Sequence, residues 1–224
     1  MAFLVFFMVF LLVGCSNAFG YTQRRIPLPP PRLQSEVSVE EALFKRRSCR
    51  SFTPSPLSLQ EAGQLLWAAQ GVTDRASGFR TAPSAGALYP LELYLVAGQV
   101  EGLSPGVYRY LPEEHALYEV LSGDRREELF RVALFQQWIR EAPVVLVLTA
   151  IYERTTRKYG ERGIRYVHME AGHAAQNVYL QAEALGLGAV VVGAFEDSGV
   201  QRILELPANE RPLYLMPVGR RHKK

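Results

Sequence analysis

The stretch Tyr166–Leu185 constrains this chain most. It reads as one long helix with few charges, chiefly Glu170 and Glu183, and with many small residues: Ala171, Gly172, Ala174, Ala175, Ala182 and Ala184. A helix apolar on most of its faces must be buried on most of them. At about 1.5 Å per residue it runs through the full width of a domain. The expectation is a central helix buried all round, which needs a large core. A chain of 224 residues is long enough to supply that core as a single domain.

The elements around it follow from local signals. Ser38-Val39-Glu40-Glu41 is a capping box opening a helix that runs to Arg46. Ser58-Leu59-Gln60-Glu61 opens a second helix, with Leu65, Leu66 and Ala69 on one face and a stop at Gly71. Residues 72–82 read as a loop. Leu91–Ala97 reads as a strand, and Val107–Leu111 with Leu117–Leu121 as a hairpin. Asp124 caps a helix to about Gln136, and the apolar run Pro143–Ala150 predicts a strand buried on both faces. Val190–Val192 and Pro212–Val218 read as further strands, with a short helix at Ser198–Leu204. No repeat or second domain is visible. The class is α+β: a mixed, largely buried sheet wrapped by helices.

Composition excludes several functions. Apolar residues make up 48% of the chain and the net charge is only +3, so disorder and a nucleic-acid surface are poor readings. Two cysteines, Cys15 and Cys49, leave no metal spacing. His168 and His173 stand five apart, which rotates them off one another on a helix, so no metal site is expected. Gly186, Gly188 and Gly193 are not a dinucleotide fingerprint, because they follow a helix and enter a strand, and the third glycine comes too late.

Two segments carry chemistry. Arg46-Arg47-Ser48-Cys49-Arg50-Ser51-Phe52 gathers three arginines and two hydroxyls at a helix end, a setting for a phosphate. Pro83-Ser84-Ala85-Gly86-Ala87-Leu88-Tyr89-Pro90-Leu91-Glu92 is a small-residue loop entering an apolar strand, where backbone approaches a flat ligand closely. Together they point to a planar, phosphorylated cofactor.

This pair resembles the nitroreductase-like flavoproteins, and in particular their SagB/ThcOx-type dehydrogenase branch, over residues 36–220. The resemblance implies a nitroreductase-like fold with a mostly antiparallel sheet, built as a homodimer, and an FMN-dependent oxidoreductase passing hydride through flavin N5. It implies that Arg46, Arg47, Ser48 and Arg50 contact the phosphate, ribityl chain and pyrimidine edge. Pro83, Ser84, Ala85 and Gly86 would lie against the isoalloxazine of the partner subunit. Gly193 and Ala194 would aim a backbone N–H at N5, and Gly219 and Arg220 would complete the phosphate side. FMN rather than FAD fits a terminal-phosphate clamp without an adenylate fingerprint, and NAD(P)H is the expected donor to a small-molecule acceptor. Azoline dehydrogenases of this branch use an adjacent Lys-Tyr pair as base, which makes Lys158 and Tyr159 catalytic candidates in a heterocycle dehydrogenase. A flavin-binding surface lipoprotein without turnover is the alternative outside enzymology.

The first residues read as an address. Ala2–Gly14 is uncharged and holds four phenylalanines, and Leu12-Val13-Gly14-Cys15 reads as a bacterial lipobox, with Cys15 as the lipidation site. Residues 1–15 are then a signal segment, 16–35 a proline-rich tether to the membrane, 36–220 the flavin domain and 221–224 a basic tail. The domain would face outside the cytoplasm. Against this, no Lys or Arg precedes the apolar run while Arg24, Arg25 and Arg32 follow it, a bias that favours an anchored domain facing the cytoplasm. A misplaced start codon is the third option.

Overall fold

The computed structural model describes residues 25–222. The expectations for the apolar segment and Cys15 lie outside those residues. The frame is one seven-stranded sheet: β1 (Arg25–Pro27), β4 (Leu91–Ala97), β5 (Gly106–Leu111), β6 (Ala116–Ser122), β7 (Val144–Ala150), β8 (Leu187–Ala189) and β9 (Arg211–Arg220). They stand in the order β1-β6-β5-β4-β7-β9-β8, and every named pair is antiparallel. The α+β class holds, with a sheet more uniformly antiparallel than the mixed one expected.

Strands β4 and β7 are buried along their whole length, which explains their unbroken apolar sequence. Alternate residues serve two cores. Leu91, Leu93 and Leu95 of β4 and Leu146 and Leu148 of β7 face α2 (Leu59–Gln70) and α6 (Arg162–Ala184). Tyr94 and Val96 with Val145 and Val147 face the other side, under α3 (Arg126–Val132), α4 (Trp138–Glu141) and α7 (Asp197–Ile203). The expected capping box forms in full on α2 and by half on α1 (Val39–Lys45), where Glu41 pairs with Lys45 instead of reaching back to Ser38. Ser38 accepts from Glu41 N–H at the start of α1, and Ser58 and Glu61 make a reciprocal capping box on α2.

Several expectations are corrected. The 72–82 segment is not a plain loop but carries a two-stranded hairpin, β2 (Val72–Asp74) with β3 (Phe79–Arg80). The helix after Asp124 stops at Val132, because Leu134 and Phe135 both adopt left-handed backbone (φ 54° and 56°), and α4 follows. A helix without a sequence signal, α5 (Glu153–Tyr159), places Lys158 and Tyr159 in its last turn. The strand before Gly193 is Leu187–Ala189, and Val192 makes only an isolated bridge to Leu215.

The second half of the expected tether is part of the domain. Arg25–Pro27 pairs with β6, Leu28 is buried, and Arg32 N–H donates to Gln64 at 2.7 Å. Arg221 belongs to the domain as well: it bridges Phe52 and ion-pairs with Glu183.

The central helix is not buried all round within one chain. Val167, Ala171, Ala174, Ala175 and Val178 face the core, while Arg165, Met169, Gly172, His173 and Gln176 are exposed. Small residues alternate with polar ones so that one stripe is open. Among the described residues no helix is long and apolar enough to cross a membrane.

Candidate functional site

The arginine motif is held by backbone rather than by its own charges. Ser48 bridges Ala189 in parallel, Cys49 N–H donates to Ala189 C=O at 2.9 Å, and Thr53 N–H donates to Arg220 C=O at 2.9 Å. The motif therefore lies along the β8 edge of the sheet. Gly188 permits this, since a Cβ there would stand 2.6 Å from Cys49 Cβ. That glycine belongs to a run with no nucleotide-fingerprint role, and its importance is a long-range contact that local sequence cannot reveal.

Around the motif sits a set of aromatic and polar side chains. The Arg46 guanidinium lies 5.2 Å over the ring of Tyr179. Tyr179 Oη is 3.4 Å from Ser48 Oγ and accepts from Val191 N–H at 2.7 Å, tying the motif to the approach to Gly193. The Arg50 guanidinium lies 5.6 Å from the ring centre of Trp138, and the neighbouring Gln136 donates to Ala194 C=O at 2.9 Å. Contacts thus run from Arg46 and Ser48 through Tyr179 to Val191, two residues before Gly193, and from Arg50 to Trp138, two residues from the Gln136 that holds Ala194. At Gly193 the space is open: a Cβ there would have Tyr214 Cε1 at 3.9 Å as its nearest neighbour.

The other expected phosphate contacts are committed elsewhere. Arg47 donates to the Phe44 and Arg46 carbonyls, capping the end of α1. Arg220 is beside the motif, but Glu61 accepts from its guanidinium at 3.0 Å. Gly219 is required by packing, with Pro143 Cδ 2.6 Å and Phe52 Cδ1 3.0 Å from where a Cβ would stand. Among the described residues, Arg46 and Arg50 form no ion pair. Two cations without an ion pair among the described residues suit a phosphate.

The Pro83–Gly86 segment forms a second cluster. Gly86, Ala87 and Tyr89 all take positive φ (64°, 53° and 43°), so the loop is strained at two non-glycine positions. Ser84 clips it: Ser84 Oγ accepts from Tyr89 N–H at 2.9 Å and donates to Glu170 Oε2 at 2.5 Å. Glu170 is 2% exposed, and burial pushes its carboxyl up to about 7, against the pull of Ser84, Gln70 and Arg80. Over the loop, a Cβ on Gly86 would meet Tyr159 Oη at 2.7 Å and Lys158 Nζ at 3.0 Å. The structure therefore brings Lys158 and Tyr159 to the loop. Tyr159 also packs edge-on against Tyr166 at 5.2 Å, and Lys158 is exposed.

The two clusters do not share one face. Tyr179 and Glu170 both lie on α6 nine residues apart, about two and a half turns and ~13 Å along the axis. They project from opposite flanks of the helix, so within one chain α6 separates the arginine motif from the Pro83–Gly86 loop. Tyr179, Glu170, Gly188, Gln136 and Trp138 were not anticipated as site residues. A carboxylate among small apolar residues in mid-helix is a visible signal for Glu170; the others have none.

Comparison with known proteins gives the family of the chain. A family model described as the Nitroreductase family matches residues 43–220. A protein of Methanocaldococcus jannaschii whose name places it among the nitroreductases is 54% identical over 186 residues, covering 83% of this chain and 92% of that protein. The microcin B17-processing protein McbC of Escherichia coli is 33% identical over 165 residues, covering 67% of this chain and 57% of McbC. Among solved structures, a nitroreductase-type protein of Ralstonia eutropha superposes with a TM-score of 0.79 at 31% identity, covering 92% of this chain and 93% of that one. The E. coli microcin synthetase McbBCD complex with truncated pro-MccB17 bound superposes with a TM-score of 0.68 at 27% identity, covering 97% of this chain and 85% of that one.

The fold and the family match define an α+β oxidoreductase with flavin reductases among its relatives. The chain belongs to the nitroreductase family.

Proposed function

We propose that this protein is an FMN-dependent oxidoreductase that works as a homodimer, each flavin lying between the arginine motif of one copy and the Pro83–Gly86 loop of the other. The observation that carries this reading is the separation of the two motifs by α6. Each is half of a cofactor site, and a second copy docked on the open Met169–Gly172–Gln176 stripe would supply the missing half. Arg46 and Arg50 would hold the phosphate, and the backbone at Gly193 and Ala194 would border the ring. FMN when bound supplies the hydride chemistry; the protein orients it and excludes competing reactions. NAD(P)H is the proposed donor, with a nitro, quinone or similar small molecule as acceptor.

A second use of the same flavin draws support from one contact. Lys158 and Tyr159 meet Gly86, the residue expected nearest the ring, which suits a base that removes a proton while hydride leaves a carbon–nitrogen heterocycle. The likeness to a microcin-processing protein supports the same use. The anchored, outward-facing address remains part of the proposal. NAD(P)H is not at hand outside the cytoplasm, so that address would favour the dehydrogenase use, and a cytoplasmic address the reductase use.

The test is spectroscopic. Purified protein should be yellow with non-covalent FMN, run as a dimer by light scattering, and bleach anaerobically with NADPH. A colourless protein that cannot be reconstituted with FMN sinks the reading. Lys158→Met should leave NADPH bleaching intact and abolish bleaching by a heterocyclic substrate. Equal loss of both would remove the dehydrogenase use.

A further inference from the structure

Glu170 is an expensive residue where it stands. It is 2% exposed, its Oε1 has no hydrogen-bond partner among the described residues, and burial pushes its pKa to about 7. A leucine or glutamine would fill the same place at lower cost if packing were all that mattered. What the carboxylate does have is Ser84. The single Ser84 hydroxyl closes the strained 84–89 loop by accepting from Tyr89 N–H and fastens it to α6 by donating to Glu170. In the same loop, Gly86 meets Lys158 and Tyr159.

We propose that Glu170 is a positioning residue of the cofactor site, whose ionised carboxylate, acting through Ser84, holds the 84–89 loop in the conformation that meets the flavin and the Lys158–Tyr159 pair. This rests on the FMN reading above. The chemistry of the clip gives the carboxylate its role. A carboxylate accepts the Ser84 proton through a charge-assisted bond, roughly twice as strong as a neutral one. A protonated carboxyl is a weaker acceptor, and a proton on its Oε2 would compete to donate to Ser84 Oγ and disturb the bond to Tyr89. The loop is thereby tied to the protonation of one buried group. Groups facing Glu170 are Gln70 of α2 and Arg80 of β3, with Lys158 and Tyr159 of α5 beyond Gly86. Tyr166 and His173 lie one turn away on its own helix. Arg80 is itself held by stacking 4.5 Å over Tyr89, so it belongs to the same brace.

Two readouts test this in the full-length protein. The first is amide exchange of residues 85–89, corrected for the intrinsic pH dependence of exchange, at pH 6 and pH 8. Protection in the wild type should fall about fivefold at the lower pH. Glu170→Gln and Ser84→Ala should show low, pH-independent protection. The second is the FMN dissociation constant over the same range. The wild type should weaken about fivefold more from pH 8 to pH 6 than either variant. The titration of the phosphate near pH ~6 is common to all three and cancels in the comparison. Parallel pH behaviour in the three proteins by both readouts overturns the proposal, as does a pH-dependent loop with no matching change in FMN affinity. Should one variant fail to fold, the other decides. A wild type that binds no FMN at any pH refutes the flavin reading, and the proposal falls as one about the cofactor site, while the exchange arm still decides whether Glu170 holds the loop.

Discussion

The two halves of the proposed cofactor site are built on opposite principles. The arginine motif is exposed, and its Arg46 and Arg50 are unpaired among the described residues; its place is set by backbone bonds to Ala189 and Arg220 and by a missing side chain at Gly188. The Pro83–Gly86 loop is set by side chains. A hydroxyl and a buried carboxylate clip it, Arg80 stacks on Tyr89, and three residues sit at positive φ. The first half leaves its charge free for a ligand because sheet edge and backbone supply its order. The second needs a buried polar brace because a strained loop has no ladder of its own. The arginine half should therefore lose function without losing fold, while the loop half should couple the two.

The largest expected effect breaks the first half. Arg46→Ala with Arg50→Ala should weaken FMN binding by two or more orders of magnitude, since each charge-assisted bond is worth roughly 1.5–3 kcal/mol. The melting temperature of the apoprotein should stay within about 2 °C of wild type, because neither arginine makes an ion pair among the described residues. Flavin fluorescence titration and a thermal melt check both. A large fall in stability with retained affinity would reverse the contrast between the two halves.

Next in size is the pH dependence of the loop half. Glu170 has a folded pKa of about 7 against 4.5 for the ordinary group, so the folded state binds its proton more tightly. Its neutral form favours the fold below pH ~4.5, and this contribution is lost as pH rises through about 7, a loss of about 3 kcal/mol at most. Glu170→Gln should remove that slope, so that urea midpoints of variant and wild type draw together at pH 5 and separate at pH 8 in favour of the variant. Asp124 runs the other way: the Arg126 side chain and backbone beside it hold its carboxyl below the usual range, so its share is lost as pH falls. Comparing the variant with the wild type isolates Glu170. The ionised state proposed to order the loop is thus the one that costs the fold stability.

The two glycines should differ more modestly. Gly188→Ala drives a Cβ to 2.6 Å from Cys49 Cβ, an atom fixed by backbone, so the arginine motif must move and FMN affinity should fall about tenfold. Gly86→Ala meets only the ends of Tyr159 and Lys158, which can swing away; the remaining cost is the left-handed backbone, roughly 1–2 kcal/mol. It should alter turnover more than cofactor retention. Steady-state kinetics and FMN titration on both variants separate the two outcomes.

The smallest effect on the site should come from Cys15→Ser. The variant should accumulate as a precursor in the membrane fraction, its apolar segment uncleaved, with an unchanged flavin spectrum. Carboxyl-terminal reporter fusions, one active only inside the cytoplasm and one only outside, decide between the two topologies.

Legibility in the sequence followed the range of the interaction. Helices α1 and α2 were readable because their capping boxes lie within four residues. Strands β4 and β7 were readable because burial on both faces leaves an apolar run. Helices α4 and α5 escaped notice because they are one or two turns long, and α5 is rich in charge, which reads as a loop. The strand before Gly193 was displaced by three residues because apolar Val190–Val192 signals strand more strongly than Leu187–Ala189, whose pairing is decided by β9.

By itself the sequence determined the two motifs, the apolar strands and the low-charge central helix, since each is a local pattern of residue type and period. Only the tertiary structure decided that α6 stands between the motifs, that Gly188 seats Cys49, that Arg220 is held by Glu61, and that Ser84 meets Glu170 under the loop facing Lys158 and Tyr159. Those contacts join residues far apart in the chain, and their partners are chosen by helix phase and sheet register, which come into being only when the chain packs.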